Sequence, residues 1–274
     1  MQIIENMFAI KKHISSQKEK GKSVGYVPTM GCFNQTHIDM IQRAKKENDI
    51  AVVSIFVNMA QFENKSEYKS YPRDFESDYK KAEEAGADVL FYPDVSNVWS
   101  KTSSMFVDFS GPFSGMKTRG MATVLIKFLS AIDPDRVYIS QKSMHELIVA
   151  ERLVTEFAMS PNVIACPIAR ESDGLAISQE NGRLSPQERD QAVVLNKALK
   201  YASVEIKHGE RNAAHLKKAI VRCLQDATLG EIDHVSIMSY EGLKESIHIK
   251  DKVIVSVALK FPEVRLEDNA IINL

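Results

Sequence analysis

The residues best suited to chemistry lie in one strand–turn–helix segment, VGYVPTMGCFNQTHIDMI. An apolar run ends in a turn, and a helical pattern begins near His37. Gly31 permits a close backbone approach to a ligand, and Asn34 or Thr36 is a suitable helix N-cap. The free amides and positive dipole of a helix start suit a phosphate, to which His37 can add a hydrogen bond. A capped turn with a surface histidine is the alternative.

Short β-branched runs alternate with longer helical patterns through the first two thirds of the chain. Several runs are apolar at consecutive positions, as in AVVSIFV, which is typical of strands buried on both faces of a parallel sheet. The predicted strands are residues 24–27, 51–57, 88–92, 105–109, 136–139 and 163–168. The predicted helices lie near 37–48, 74–85, 120–131 and 144–158. This alternation predicts an α/β fold with a Rossmann-like, doubly wound parallel sheet, whose ligands bind beyond the carboxyl ends of the strands.

The last hundred residues have a different pattern. Two helical patterns, near 186–203 and 211–228, precede the strand-like runs HVSIMSY, VIVSVALKF and VRLEDN. Helices followed by strands without strict alternation predict a smaller C-terminal α+β domain. Gly, Ser, Asp and Asn concentrate between 168 and 182, so we expect the domain boundary there. The predicted domains are 1–176 and 177–274.

Composition narrows the class of protein. The 274 residues carry a formal net charge of -1, which argues against general binding of nucleic acid or membrane surfaces. The three cysteines are widely spaced, so neither a disulfide framework nor a C-x-x-C zinc site is expected. The charged, amphipathic N-terminal stretch is unlike a signal peptide, and no apolar run is long enough for a membrane span. We therefore expect a cytoplasmic protein.

A set of collinear stretches resembles the pantothenate synthetase, or pantoate–β-alanine ligase, family of the nucleotidylyltransferase superfamily. The matching stretches are VPTMG, VVSIFVN, QF in NMAQFEN, YPRDFESD, EEAGADVLFYP, ATVLIKFL, PDRVYIS, ARESDGLA, LSP and VRLEDN. They occur in family order from about residue 24 to 269. Each stretch is weak evidence alone, and the resemblance depends on all of them occurring in the same order as in the family.

The resemblance implies a two-step reaction. Family members use ATP and Mg²⁺ to adenylate the carboxylate of pantoate, and pyrophosphate leaves. The amine of β-alanine then attacks the acyl-adenylate and releases AMP. The protein mainly aligns the carboxylate with the α-phosphate and neutralises charge on the triphosphate. The resemblance also implies a homodimer.

The nucleotide side of the implied site contains five residues. Met30 and Gly31 correspond to the turn that begins the family's nucleotide-binding signature. His37 corresponds to the second histidine of the H-x-G-H motif, and Lys142 to the lysine of G-x-K-D, so both are implied catalytic and phosphate-binding residues. Ser178 corresponds to the first serine of the mobile S-S-R loop.

The acid side of the implied site contains Gln61, which corresponds to a glutamine that holds the acid substrate. Asn58 shares the same wall. Asp78 corresponds to an acidic residue near the magnesium site, so the resemblance implies that it is a metal ligand.

The chain departs from the family pattern at five positions. Asn34 replaces the first histidine of H-x-G-H, and Thr36 replaces its glycine. Ser143 replaces the aspartate of G-x-K-D, and Glu146 replaces a glutamine that binds pantoate. Glu180 replaces the arginine of S-S-R, and only MKTRGM remains of the glycine-rich stretch before ATVL.

These departures leave three functions open. The first is synthesis of pantothenate, with Arg183, Arg119 or Arg170 as a replacement cation. The second is a related amide ligase that uses another acid or amine, because Glu146 favours a cationic group. The third is a catalytically silent protein that binds a nucleotide or a partner.

Overall fold

The computed structural model describes residues 1–62, 64–100, 104–111 and 114–274. The chain divides into two compact units, Met1–Pro167 and Ile168–Leu274. Among the described residues, no helix is long and apolar enough to cross a membrane.

The first unit is built on a six-stranded sheet in which every neighbouring pair is parallel. Its strands are β1 (Gln2–Ile4), β2 (Val24–Thr29), β3 (Ile50–Ile55), β4 (Val89–Phe91), β5 (Arg136–Ser140) and β6 (Asn162–Cys166). Their order across the sheet is β1-β4-β3-β2-β5-β6. The central strands are buried along nearly their whole length, as their continuous apolar runs predict. The predicted parallel α/β sheet is therefore confirmed.

Helices connect these strands. They are α1 (Met7–Lys18), α2 (Gln35–Glu47), α3 (Lys65–Ser70), α4 (Phe75–Glu84), α5 (Val95–Val98), α6 (Met116–Ile132) and α7 (Met144–Glu156). The four helices predicted from periodicity are present as α2, α4, α6 and α7. Helix α2 buries Met40, Ile41 and Ala44 along one face, where they join the core formed by β2, β3 and β4.

Two features of the first unit differ from the prediction. The segment 105–109 is not a strand; Met105 is 83% exposed, and the Val107 amide donates to the Thr123 hydroxyl instead of a strand partner. Its apolar residues therefore do not belong to a sheet. The edge strand β1 was not predicted, because three residues are too few to show a periodicity.

The second unit is the smaller α+β unit that the sequence predicts. Helices α8 (Pro186–Ala192), α9 (Val194–Lys207) and α10 (Ala213–Leu224) precede an antiparallel sheet of β7 (Glu231–Ser239), β8 (Val253–Lys260) and β9 (Arg265–Ile272). The helices and one face of β8 share a single apolar core.

The predicted boundary after residue 176 lies inside the second unit. The Arg170 guanidinium binds the buried Asp268 carboxylate of β9 at 2.6 and 3.0 Å, and Leu175 packs in the core of the second unit. Because these contacts attach 168–176 to the C-terminal sheet, the division falls where β6 ends. The stretch after residue 168 that is rich in Gly, Ser, Asp and Asn is therefore a turn inside the second unit, and it is not the linker between the two units.

Candidate active site

The candidate site lies at the carboxyl ends of β2 and β5. These two strands are neighbours, but the chain continues from β2 to β3 on one side and from β5 to β6 on the other. Such a reversal of strand order is the usual ligand position in an open parallel sheet. Met30 and Gly31 follow β2 directly, and Lys142 follows β5, so the topology brings these predicted residues to one edge.

The turn after β2 is held by a buried carboxylate. Asp78 of α4, which is 3% exposed, accepts hydrogen bonds from the backbone amides of Cys32 and Phe33, both at 2.7 Å. Gly31 and Cys32 both have positive φ, +82° and +56°. A Cβ at residue 31 would lie 2.8 Å from an Asp78 oxygen, so the turn needs glycine there.

The start of α2 differs from the predicted phosphate cradle, because most of its amides have internal partners. The Asn34 side chain caps the helix by accepting from the Thr36 amide at 3.1 Å, and the His37 amide donates to the Asn34 carbonyl. Together with the two amides bound by Asp78, these bonds leave few donors for a ligand. Asn34, which stands where the family pattern has a histidine, therefore serves as the helix cap.

His37 is a neutral hydrogen-bond donor. Its Nδ1 accepts from the Asn34 amide at 3.1 Å, which places the ring proton on Nε2. Burial and the nearby Lys142 and Lys81 lower the pKa of His37 from 6.5 to about 4. The ring also stacks on Phe33, with 5.4 Å between the ring centroids. A neutral imidazole held in this way can donate Nε2–H to an anion over the physiological pH range.

Positive charge near His37 comes from two elements. Lys142 lies in the 3₁₀ turn Gln141–Ser143, which the Ser140 hydroxyl caps by accepting from the Lys142 amide at 3.1 Å. Lys81 of α4 donates to the Phe33 carbonyl at 2.9 Å. The structure thus places His37 and Lys142 together, as the resemblance implies. The sequence did not indicate Lys81, which reaches the turn from a helix distant along the chain.

The acid side of the site is the 3₁₀ turn Met59–Gln61. Asn58 caps it by accepting from the Ala60 amide at 3.2 Å, and its amide group donates to the Gly120 carbonyl of α6 at 3.1 Å. Asn58 is 1% exposed, so it positions the turn. The Gln61 side chain is half-buried, and no hydrogen bond of its carboxamide is found within the described part of the chain.

Gly120 allows this turn to sit directly on α6. A Cβ at residue 120 would lie 2.1 Å from the Ala60 Cβ, far inside van der Waals contact. In the same stretch of α6, the Thr118 hydroxyl is hydrogen-bonded to His145 Nε2 at 2.8 Å. Since His145 precedes Glu146 in α7, the N-terminal part of α6 contacts both the turn that carries Gln61 and the segment that carries Glu146.

Glu146 is surrounded by protein in the first turn of α7. Burial raises its pKa from 4.5 to about 7, although part of the side chain remains accessible to solvent. Burial raises the pKa of the Tyr26 phenol in β2, and the charge of Glu146 adds a smaller increase. The Tyr26 hydroxyl is bonded to the Ser54 hydroxyl at 2.7 Å.

Ser178 lies in the second unit, where its hydroxyl caps the 3₁₀ turn Gln179–Arg183 by accepting from the Glu180 amide at 3.4 Å. Arg183 binds the Glu180 carboxylate at 3.0 Å and the Glu263 carbonyl at 2.6 Å. The negative charge of Glu180 is thus balanced within its own turn.

The replacement cations proposed from the sequence all have partners of their own. Arg183 binds Glu180, and Arg170 is held by Asp268. Arg119 lies 3.6 Å from an Asp108 oxygen and 4.2 Å above the Phe106 ring. Each would have to exchange a partner to bind phosphate.

The acidic residues near the turn are poorly suited to hold a magnesium ion. Both oxygens of Asp78 already accept from backbone amides. Within 1–62, 64–100, 104–111 and 114–274, no group of three His, Cys, Asp or Glu side chains could hold a metal ion. The role of Asp78 as a magnesium ligand stays a prediction that this geometry disfavours, and the described residues do not form a metal site of their own.

Comparisons with known proteins agree on one family. The family model described as Pantoate-beta-alanine ligase matches residues 2–271. A pantothenate synthetase of Thermotoga neapolitana is 40% identical over 280 residues, which cover 100% of both chains. That of Staphylococcus carnosus is 38% identical, covering 93% of this chain and 92% of the relative.

Solved structures give the same result. A pantothenate synthetase from Thermus thermophilus is 31% identical, has a TM-score of 0.86, and is matched over 98% of this chain and 99% of that chain. A pantoate-beta-alanine ligase from Francisella tularensis, complexed with beta-gamma ATP and beta-alanine, is 26% identical with a TM-score of 0.73, over 99% and 97% of the two chains. These matches extend over the whole length, and the chain therefore belongs to the pantoate–β-alanine ligase family.

Proposed function

We propose that this protein is an ATP-dependent ligase that joins pantoate to β-alanine through an acyl-adenylate. Membership of the family supports the reaction class. The observation that carries the proposal is the neutral, half-buried His37 beside Lys142 and Lys81 at the switch point of the sheet. One fixed N–H donor between two cations is suited to the oxygens of a triphosphate.

The reaction has two steps. An oxygen of the pantoate carboxylate attacks the α-phosphorus of ATP, and the bond to the β-phosphate oxygen breaks, so that pyrophosphate leaves with both electrons. The amine of β-alanine then attacks the acyl carbon, loses a proton and displaces AMP. No nucleophile of the protein is required, because both steps depend on alignment and charge neutralisation.

The residues divide between the two ends of this reaction. Lys142 and His37 stabilise charge on the phosphates, and the turn at Met30 and Gly31 bounds the nucleotide. Gln61 binds the acid with its carboxamide, while Asn58 fixes that turn on α6. The family resemblance assigns nucleotide binding to Ser178 as well. Magnesium would be supplied as the complex of ATP and would neutralise charge on its phosphates. We expect a homodimer in the cytoplasm.

An exchange assay tests the proposal. Pantoate should stimulate the exchange of labelled pyrophosphate into ATP, and Lys142→Ala should reduce the rate by about 100-fold or more, because a charge at the transferring phosphoryl group is lost. Lys46→Ala is the matched control, since Lys46 is exposed on α2. Heat of ATP binding without exchange for any acid would refute ligase activity and favour the silent nucleotide-binding protein.

A related ligase with another acid is the second candidate. The enclosed Glu146 carboxyl favours it, because a carboxylate is a poor neighbour for an anionic substrate without a cationic group.

A further inference from the structure

The beginning of α6 is not capped by a side chain of the described residues, because Gly115 precedes its first turn. A helix end without a cap leaves backbone amides that the helix itself does not satisfy. The position of this end therefore depends on contacts between α6 and neighbouring segments. The helix packs against both the turn Met59–Gln61 and helix α7. These two neighbours belong to the two sides of the candidate active site.

The contact with the acid side combines a hydrogen bond with close packing. The buried Asn58 donates its side-chain amide to the Gly120 carbonyl at 3.1 Å. Gly120 also lies against Ala60 so closely that a Cβ at residue 120 would be 2.1 Å from the Ala60 Cβ. Because both contacts join α6 to the turn that carries Gln61, a shift of the helix end moves that turn with it.

The contact with the phosphate side is made by His145 of α7. Its Nε2 is hydrogen-bonded to the Thr118 hydroxyl at 2.8 Å, and Thr118 is 2% exposed, so water has little access to this bond. Burial and the nearby Lys117 lower the pKa of His145, so the ring is neutral at physiological pH. His145 lies three residues after Lys142, where the 3₁₀ turn of that lysine continues directly into α7.

We propose that His145 is a positioning residue for the adenylation step. Its hydrogen bond to Thr118 fixes the turn that carries Gln61 relative to the turn that carries Lys142, and the end of α6 connects the two. This inference rests on the proposed function and deepens it. In that step a carboxylate oxygen attacks the α-phosphorus while pyrophosphate leaves, so the two reacting atoms must be held in line. A displacement of about 1 Å can slow such a reaction about 100-fold.

The competing explanation is a hydrogen bond that only stabilises the fold. Loss of such a bond lowers the free energy of unfolding, but the protein that stays folded reacts at the native rate. Loss of alignment has a different signature, because it lowers kcat and leaves the binding of ATP and of the acid nearly unchanged. The kinetic constants of pyrophosphate exchange therefore separate the two explanations.

Thr118→Val tests the proposal, because it keeps the shape of the side chain and removes the hydroxyl. The kcat of pantoate-dependent pyrophosphate exchange should fall about 10- to 100-fold, with changes of less than about threefold in KM for ATP and pantoate. His145→Ala should cause a similar loss, and the double variant should be no slower than either single variant, because both remove the same bond. Thr118→Ser and His145→Gln keep a hydrogen-bonding group and should retain most of the rate.

Thr123→Val is the matched control in the same helix. Thr123 is also 2% exposed, and its hydroxyl accepts from the Val107 amide and donates to the Arg119 carbonyl. This variant should lower the free energy of unfolding and keep a kcat close to the native value. A native kcat in Thr118→Val would overturn the positioning role alone, and so would a raised KM with an unchanged kcat. Absence of exchange in the native protein would refute the ligase and the positioning role together.

Discussion

Replacement of Glu146 by glutamine should make the protein more stable above neutral pH. The substitution keeps the size of the side chain and removes its charge. Burial raises the pKa of the folded state from 4.5 to about 7, so the folded protein holds a proton that the unfolded chain releases. The native protein therefore loses stability as the pH rises from about 4.5 to about 7, and the variant does not.

The size of the effect follows from the pKa. Each tenfold change in proton affinity is worth ~1.4 kcal/mol, which gives an upper limit of about 3 kcal/mol for this carboxyl. Because part of the side chain is accessible to solvent, we expect about 2 kcal/mol in favour of Glu146→Gln at about pH 8 and almost no difference at about pH 4.5.

Urea unfolding followed by circular dichroism measures this difference at both pH values. Glu156→Gln controls for the general effect of one charge, since that residue is exposed. The reasoning is refuted if the difference in free energy of unfolding between the native protein and Glu146→Gln is the same at the two pH values. A variant that is less stable at about pH 8 would mean that the carboxylate has a partner in the folded protein.

Three further predictions concern the rest of the site. Asp78→Asn should lower the free energy of unfolding by about 2–4 kcal/mol and weaken ATP binding. The reason is that an amide group cannot accept from both backbone amides of the turn. Urea unfolding measures the first loss and calorimetry the second. Gly120→Ala should lower the free energy of unfolding by about 1–3 kcal/mol, because the new methyl group overlaps Ala60. The double variant with Ala60→Gly should recover most of this loss. A double variant that is no more stable than the single one would mean that the strain lies elsewhere. NMR titration of the ligand-free protein should find that His37 titrates near pH 4. The free energy of unfolding should therefore fall as the pH falls from 6.5 towards 4. Titration near pH 6.5 would contradict the effect of burial and of the two nearby lysines on this ring.

The sequence predicted the strands and helices that local sequence patterns determine. Continuous apolar runs such as 51–57 indicated the parallel strands, and a change of pattern between 168 and 182 indicated the second unit. The segment 105–109 shows the limit of this approach, because a short apolar run forms a strand only if a neighbouring strand accepts its hydrogen bonds. A single sequence does not contain that information.

Several residues of the candidate site could be named from the sequence, but most of the contacts among them could not. Gly31 and His37 were indicated by the strand–turn–helix pattern, and Lys142 only by the family resemblance. The sheet topology brings the segments that carry them to one edge. The capture of the Cys32 and Phe33 amides by Asp78 joins positions far apart in the chain, and the approach of Lys81 to His37 does the same. Such pairings depend on how α4 packs against the turn, which the periodicity of neither segment specifies.

The close contact between Gly120 and Ala60 has a consequence for the motion of the acid site. Two small residues in contact leave no side chain to flex between the helix and the turn, so the two backbones are coupled. The amide of Ala60 and the amides of the neighbouring turn of α6 should consequently exchange with deuterium at similar rates. Any rearrangement that accommodates a larger acid must then displace the end of the helix as a rigid body, and Gln61 cannot adjust alone.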